Sequence, residues 1–492
     1  MKNFLKTSTI LLCSLFTTMS CDDYLNIGPQ YTQDADNYFK SPADYSKALT
    51  GAYDLLQTSY LSVWIGEIAS DNSIAGGESV TDTEGLHQID NMTHGGVNNE
   101  LRSLWRWNYT GITRVNYIYE FKDNIDFEGK NKILAEAAFL RAYYYFELVK
   151  FFGDVPLIVD HRIDASDVPS LERTPKSEVY AQIEKDLIFA SENLEWQDAI
   201  KGRVTKGAAL SLLGKAYLYQ DKFTEAATTL DKVIDEGPYA LFNDVGTLFR
   251  VSDENSSETV FDIQYVGIEG GSYGCFVCLE GNASVGFHGI RGYEGPIYGD
   301  GNSYNLPTQD LYNAFSAGDP RREAAILDIE AFKNSQADPS KVKYTVGGGG
   351  HTGYYNNKYI KRADELGAPD TDLTSPVNFK AVRYADVLLM AAEAHNRKSS
   401  PDDSKAREYV NEVRARVGLD PVIDSGAALT TAIYLERRLE LAGEGQRFFD
   451  LVRTGKAVNE ITGFVAGKNE VFPIPQDEID LARAGWLQNS GY

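Results

Sequence analysis

KILAEAAFLRAYYYFELVKFFGDVP, residues 132–156, is the stretch that decides the fold. It is long enough for about six helical turns, and nearly every position in it is apolar or aromatic. A helix that is hydrophobic almost all round belongs in the interior of a protein. Gly153 is typical of the left-handed residue that ends a helix, and Pro156 prevents continuation. The stretch therefore predicts a buried central helix with other helices packed around it.

Arg141 is the one charge that falls inside the apolar face of this helix. It lies roughly 140° around the helix axis from Glu136, while Glu147 and Lys150 share the narrow polar stripe with Glu136. A buried guanidinium needs a carboxylate partner. The sequence therefore predicts a structural ion pair at Arg141.

Helical-repeat units lie on the carboxyl-terminal side of this helix. The clearest follows the tetratricopeptide template, at Leu210, Leu213, Gly214, Tyr217, Ala226, Leu230 and Pro238. Gly214 and Ala226 are small, which suits a close crossing of the two helices of the unit. A second, looser unit is predicted at residues 382–417. Units of this kind cannot bury their apolar faces alone, so we expect them to stack.

The amino terminus has the features of an export signal. Lys2 and Lys6 precede an apolar run at residues 10–16, which is far shorter than the ~20 residues of a membrane-spanning helix. Ser20 before Cys21 resembles a bacterial lipoprotein cleavage site, after which Cys21 would be the acylated first residue. An ordinary cleaved signal with a spare thiol is the alternative.

The predicted fold class is mostly α, a tetratricopeptide-like helical-repeat scaffold with a large irregular loop-rich ligand-binding insertion. The insertion is placed where glycine is concentrated, with 19 of the 43 glycines and 10 of the 30 tyrosines of the chain, including four consecutive glycines at residues 347–350. The predicted organisation is a signal peptide at 1–20, a lipidated acidic tether at 21–40, a helical region at 41–240 with a polar loop at 70–99, the insertion at 241–380, and helices with a closing tail at 381–492. Binding residues lie preferentially on loops of this kind.

Charge and motif content narrow the class of function. The net charge of −24 argues against nucleic acid as a partner, because phosphate binding needs clustered Lys and Arg. Zinc-protease, serine-hydrolase and phosphate-loop patterns are missing from the sequence. The signal for an enzyme is therefore weak, and we expect no cofactor. Paired carboxylates for glycoside hydrolysis remain an open alternative, since 71 acidic residues always provide some close pair.

Two further motifs favour structural interpretations. Cys275 and Cys278 form one CxxC pair, and a zinc site would need about two more ligands. In an exported protein, the pair indicates either a small disulfide loop or two buried thiols. The acidic and basic residues from Glu436 to Arg453 look catalytic at first. Their i, i+3 and i+4 spacing is better interpreted as an ion-pair network that closes the last helices.

A series of motifs along nearly the whole chain carries a family resemblance. They are CDDYL at 21–25, LRAYYYF at 140–146, FGDVPL at 152–157, RYADVLLM at 383–390, AEA at 392–394, VRAR at 413–416, ERR at 436–438, RFFDL at 447–451, PIP at 473–475 and LQNSGY at 487–492. Together they resemble the SusD-like (SusD/RagB) family of outer-membrane nutrient-binding lipoproteins.

The resemblance implies a tetratricopeptide scaffold without catalysis, anchored in the outer membrane by lipid and facing the outside. It implies a SusC-like TonB-dependent transporter as partner. The implied ligand is usually an oligosaccharide and sometimes a peptide. Two other functions stay open, a cell-surface hydrolase and a scaffold that binds only proteins.

Sugar chemistry guides the choice of candidate site residues. Aromatic rings stack on the CH faces of sugars, and charged or amide groups bind the hydroxyls. Residues 70–99 contain no aromatic residue besides His87 and His94, so we expect the aromatic part in the insertion. The candidate ligand-binding residues are Asp71, Asn72, His87, Tyr273, Phe287, Arg291, Tyr293 and Tyr298. Any one tyrosine could simply be packed, so the hypothesis concerns the cluster.

Overall fold

The computed structural model describes residues 38–163, 166–367, 370, 372–482 and 485–492. The predicted signal peptide at 1–20, the acylation of Cys21 and the tether up to residue 37 lie outside the described residues. Across the described ranges, no helix has both the length and the apolar character needed to cross a membrane.

The amino-terminal half consists mainly of helices. These are α1 (Pro42–Asp54), α2 (Tyr60–Ile68), α3 (Glu84–Asp90), α4 (Asn99–Glu120), α5 (Lys130–Phe152), α6 (Lys176–Asn193), α7 (Lys206–Leu218) and α8 (Phe223–Glu236). The short helices of the insertion are α9 (Ala283–His288), α10 (Gln309–Ala314), α11 (Arg321–Ala325) and α12 (Ile329–Ser335). The last group is α13 (Tyr384–Arg397), α14 (Asp403–Arg416), α15 (Gly426–Glu440), α16 (Arg447–Arg453), α17 (Ala457–Glu460) and α18 (Gln476–Leu481).

Among the residues that the structure describes, six short strands form three two-stranded antiparallel sheets. The strands are β1 (Ser73–Gly76), β2 (Thr259–Ile263), β3 (Tyr304–Pro307), β4 (Ile326–Asp328), β5 (Tyr354–Asn356) and β6 (Phe379–Arg383). The sheets pair β1 with β3, β2 with β6, and β4 with β5. The β2–β6 sheet holds the two ends of the insertion together. The polar stretch at 70–99 is therefore more ordered than a loop, since it contains β1 and α3.

The central helix α5 is confirmed, and it packs between α4 and α6. Its end is at Gly153, whose φ of 72° lies in the region that favours glycine. The guanidinium of Arg141 donates from Nε and Nη2 to the two carboxylate oxygens of Asp186 at 2.8 and 2.7 Å. The predicted buried ion pair thus joins α5 to α6 as a bidentate salt bridge, whose two parallel hydrogen bonds fix its geometry.

Both predicted repeat units are present. The helices α7 and α8 form the first and α13 and α14 the second, and α8 packs against α13 so that the units stack. Gly214 faces Leu230, and a Cβ at Gly214 would lie 2.5 Å from the Leu230 Cγ. A larger side chain at Gly214 would prevent this close crossing of α7 and α8. The prediction that Gly214 is small because the two helices cross closely is therefore confirmed.

Arg383 is the centre of a buried ionic cluster that connects the insertion to the last helices. Its side chain is 1% exposed and donates to Glu258 at 2.8 Å, to Glu440 at 2.6 Å and to Glu444 at 2.8 Å. Arg321, Arg416 and Lys358 make further pairs with these carboxylates. The ion-pair interpretation of residues 436–453 is confirmed. Most ion-pair partners of these residues lie on other helices or strands. The spacing within one helix could not predict them, because it indicates only neighbours on the same helix.

Glu67 on α2 provides a test of stability against pH. Its side chain is fully buried and accepts a hydrogen bond from the Gly445 amide at 2.8 Å. Burial raises the pKa of Glu67 to about 7. The folded state therefore keeps a proton that the unfolded state loses, and the free energy of unfolding falls as the pH rises from about 5 to about 8. The shift corresponds to a loss of roughly 3 kcal/mol.

The measurement is urea unfolding across this pH range for the wild type and for Glu67→Gln. Glutamine keeps the shape of the side chain and cannot ionise, so the variant should show a much weaker dependence on pH. Equal pH slopes for the two proteins would contradict the assignment to Glu67.

Candidate functional site

The candidate binding surface forms where the polar stretch after α2 meets the insertion. β1 and β3 pair in antiparallel register, with Gly76 opposite Tyr304. Beyond the strand, the Gly77 amide donates to the Ser303 carbonyl oxygen at 2.7 Å. Two segments that are far apart in the chain are thereby held side by side.

The glycine run at residues 347–350 adds a third segment to this surface. The Gly348 amide donates to the Glu78 carbonyl oxygen at 2.6 Å. A Cβ at Gly347 would lie 2.1 Å from the Gly77 carbonyl oxygen, closer than any side chain allows. The run is therefore glycine because its backbone packs directly on the backbone of the polar stretch.

Arg291 connects the segments through its side chain and its backbone. The guanidinium donates to the Asn302 carbonyl oxygen at 2.9 Å and lies 3.5 Å from the Glu78 carboxylate and 4.0 Å from that of Asp82. The Arg291 carbonyl oxygen accepts from the Thr345 amide at 2.8 Å. This arrangement places a cation and two carboxylates close together, with side chains that are 20% exposed at Arg291, 73% at Glu78 and 41% at Asp82.

Tyr273 supplies an exposed aromatic ring beside this polar group. It is 57% exposed, and its ring centroid lies 6.1 Å from that of Phe276 in an edge-to-face arrangement. Burial and the nearby Asp372 carboxylate raise the pKa of Tyr273, and a hydrogen bond to the Asn302 side chain opposes the shift. Asn302 therefore contacts both Tyr273 and Arg291, which places the two candidates on one surface.

The loop that carries Tyr273 is closed by a disulfide between Cys275 and Cys278. This resolves the two alternatives left by the sequence in favour of the disulfide loop. In the part of the chain that the structure describes, no group of three or more His, Cys, Asp or Glu side chains is arranged to hold a metal ion.

A buried aromatic cluster supports the surface from beneath. The Phe287 ring lies 4.4 Å from Trp64 and 5.5 Å from Tyr304, measured between ring centroids. The Tyr304 hydroxyl is 3.0 Å from the Thr83 hydroxyl, and burial raises the pKa of Tyr304. Phe287, a candidate for sugar stacking, is thus packed in the interior and supports the surface without offering a face to it.

Asp71 and Asn72 are engaged with the last helices. The Asp71 carboxylate accepts from the Arg447 guanidinium at 2.7 and 2.8 Å and lies 3.0 Å from Arg438. The Asn72 side chain is buried and accepts from Arg438 at 2.9 Å. Both side chains therefore bind the polar stretch to α15 and α16, and they do not lie on the candidate surface.

The other candidates lie apart from the surface. His87 is buried on α3. Tyr293 is 7% exposed, and its hydroxyl donates to the Pro296 carbonyl oxygen at 2.7 Å. Tyr298 packs edge-to-face on Tyr293 with ring centroids 6.1 Å apart. These two tyrosines form part of a small hydrophobic core within the insertion. The structure brings together only Tyr273 and Arg291 at an accessible surface.

Sequence reasoning missed Glu78, Asp82 and Asn302 as members of this surface. Each is a common polar residue within a glycine-rich stretch, so nothing in the local sequence separates it from its neighbours. The signal becomes visible only when the pairing of β1 with β3 brings these residues to Arg291.

Two family descriptions match the chain. The one described as "SusD family" matches residues 308–492, and the one described as "Starch-binding associating with outer membrane" matches residues 23–218. Tyr273, Arg291 and Asn302 lie between the two matched parts. The surface thus lies largely in a part of the chain that neither family description covers.

Individual proteins resemble the chain over nine-tenths of its length or more. "SusD-like protein P2" of Formosa agariphila is 30% identical over 100% of both chains. The solved structure titled "Laminarin binding SusD-like protein" has 35% identity and a TM-score of 0.84, covering 92% of this chain and 100% of that one. Surface glycan-binding protein A from Bacteroides thetaiotaomicron, solved in complex with laminarihexaose, has 26% identity and a TM-score of 0.80, covering 91% of this chain and 99% of that one.

Proposed function

This chain belongs to the SusD family, and from that premise we propose that it captures an oligosaccharide at the cell surface and delivers it to a SusC-like TonB-dependent transporter. The observation that carries the proposal is the surface on which Tyr273 and Arg291 meet through Asn302. An exposed ring next to charged and amide groups provides both contacts that a sugar needs, stacking on its CH face and hydrogen bonds to its hydroxyls.

The proposed ligand is a glucan of the laminarin type. One of the similar solved structures is named as a laminarin-binding protein, and another was solved in complex with laminarihexaose. The charges at the surface favour a neutral ligand of this kind. The Arg291 guanidinium lies beside two carboxylates, those of Glu78 and Asp82, so the group offers donors and acceptors but has no excess of positive charge that would attract an anionic ligand.

The proposed location is the outer membrane, with the protein facing outward on a lipid anchor at Cys21. The family description that matches residues 23–218 names an association with the outer membrane. Binding without turnover is the proposed mode of action, in agreement with the names of the similar proteins, which describe binding.

Tyr273→Ala is expected to weaken the binding of laminarihexaose by about tenfold, because stacking on an exposed ring is worth about 1.4 kcal/mol. Isothermal titration calorimetry measures the effect. Tyr217→Ala is the matched control, since Tyr217 is a half-buried tyrosine on α7 and should leave the affinity unchanged. Equal affinities of wild type and Tyr273→Ala would place the ligand elsewhere.

Binding and activity assays on the purified wild-type protein distinguish oligosaccharide binding from peptide binding and from glycan hydrolysis. A glycan panel without binding, together with a peptide that raises the melting temperature, would identify a peptide-binding member of the family. A saturating ligand at about 100 times its Kd adds ~2.7 kcal/mol of stability, which such an assay detects easily. Release of sugar products by the purified protein would show a hydrolase and overturn the proposal.

A further inference from the structure

Two adjoining pockets open beside residues 201–203, in the connection between α6 and α7. Their volumes are 280 and 260 Å³, and both are lined by Lys201, Arg203 and Asp262. One extends toward Trp196 and the other toward α1. Neither is lined by Tyr273, Arg291 or any other residue assigned above to the candidate surface.

Aromatic side chains line the first pocket. Trp196 and Tyr239 are both half-buried there. The Tyr239 hydroxyl is 3.2 Å from that of Thr205, and the Lys206 ammonium lies 5.5 Å from the centroid of the Trp196 ring. Half-buried rings with neighbouring hydroxyl groups suit a ligand that has both apolar CH faces and hydroxyls.

Unused hydrogen-bonding capacity is found at the same place. Asp262 is 2% exposed, and its Oδ2 lies 3.1 Å from the Lys380 ammonium. Its Oδ1 and the Ser256 Oγ have no hydrogen-bond partner among the described residues. Buried acceptors without partners are rare and need an explanation. A hydroxyl of a bound ligand would supply the missing donor.

The local charges argue against an anionic ligand. Arg203 lies 3.2 Å from the Glu136 carboxylate, and Asp262 is paired with Lys380. Lys201, which lines both pockets, and Glu280, which lines the second, have no ion-pair partner among the described residues, but their charges are opposite, so neither sign predominates. The neutral side chains of Asn255 and Ser256 also line the first pocket, where the Asn255 amide exchanges hydrogen bonds of 3.3 and 3.2 Å with the Gln264 amide.

From these contacts we infer a second saccharide-binding site in this cleft, which takes one or two neutral sugar units. The volumes lie near the lower limit of ligand pockets, about 300 Å³, so they suit a short saccharide or one end of a longer chain. The inference rests on the proposed function for the class of ligand. It concerns a separate location, which allows the two to be tested apart.

The test uses the indole NH resonance of Trp196 in the whole protein, assigned with Trp196→Phe, during titration with laminarihexaose. We expect the resonance to shift in the wild type and to shift with the same apparent Kd in Tyr273→Ala. Asn255→Ala, which removes a neutral polar group from the cleft, should weaken this response about tenfold. Trp486 is the internal control, because its indole donates to the Leu171 carbonyl oxygen outside the cleft and should not respond.

Each outcome has a separate meaning. The Trp196 resonance could stay unchanged during the titration while calorimetry detects binding that depends on Tyr273. This result would overturn the second site and leave the proposed function intact. A Trp196 response that weakens in parallel with the affinity of Tyr273→Ala would also overturn it, because the cleft would then have no affinity of its own. A Trp196 response without any Tyr273-dependent binding would support the cleft and count against the proposed site in the insertion.

Discussion

Arg383→Ala is expected to lower the free energy of unfolding by about 3–5 kcal/mol, the cost of breaking a buried ion pair from one side. Arg383 donates to Glu258, Glu440 and Glu444 within 2.6–2.8 Å. Removal of the guanidinium leaves these buried carboxylates facing one another. Their partners Arg416 and Lys358 compensate only in part. Because whole domains are stable by only about 5–15 kcal/mol, this loss is a large fraction of the total free energy of unfolding.

Urea unfolding followed by circular dichroism measures this loss. Arg383→Lys is the intermediate case, since it keeps the positive charge but cannot reach three carboxylates at once. Arg102→Ala is the matched control, because Arg102 and its partner Asp477 are 39% and 48% exposed and such pairs contribute about 0–1 kcal/mol. A result for Arg383→Ala within 1 kcal/mol of this control would contradict the central role of the cluster.

Cys21→Ala is expected to move the protein completely from the membrane fraction to the soluble fraction. Acyl chains contribute ~0.8 kcal/mol for each CH₂ group buried in the bilayer, so several chains on Cys21 give stable attachment. The net charge of −24 offers no electrostatic attraction to anionic lipid that would replace them.

Fractionation of cells with detection of the protein in each fraction is the measurement. Cys13→Ala is the matched control, because Cys13 lies within the predicted signal peptide and its loss should leave attachment unchanged. If Cys21→Ala still sediments with membranes in the same proportion as wild type, acylation at Cys21 is excluded as the anchor.

The helical frame was predictable because its determinants are local. The apolar run of α5 predicts burial and the small residue Gly214 predicts a close helix crossing. Both predictions need only the local sequence, since an α-helix has 3.6 residues per turn whatever the rest of the chain does. Arg141 was predictable for a related reason, as a charge on an otherwise apolar face must be paired. Its partner Asp186 was not predictable, because partners are set by packing between helices.

The candidate surface was predictable only as a region. Tyr273 and Tyr293 look alike in the sequence, yet one is 57% exposed and the other 7%. Their difference arises from pairings between segments that are distant in the chain, which local patterns do not encode. Asp71 illustrates the same limit, since the partner that engages its carboxylate, Arg447, lies near the opposite end of the sequence.

The pairing of β1 with β3 has a consequence for the order of events during biogenesis. Gly76 is synthesised long before Tyr304 and Gly347, so the surface cannot assemble until most of the chain has left the ribosome. Long-range pairings of this kind also form slowly, because the loop must close before its contacts are gained. A chain truncated between these segments would keep the predicted amino-terminal export signal but would lack the completed candidate surface. The amount of protein that reaches the membrane and its capacity to capture ligand are therefore separate quantities, and both need to be measured in any expression study.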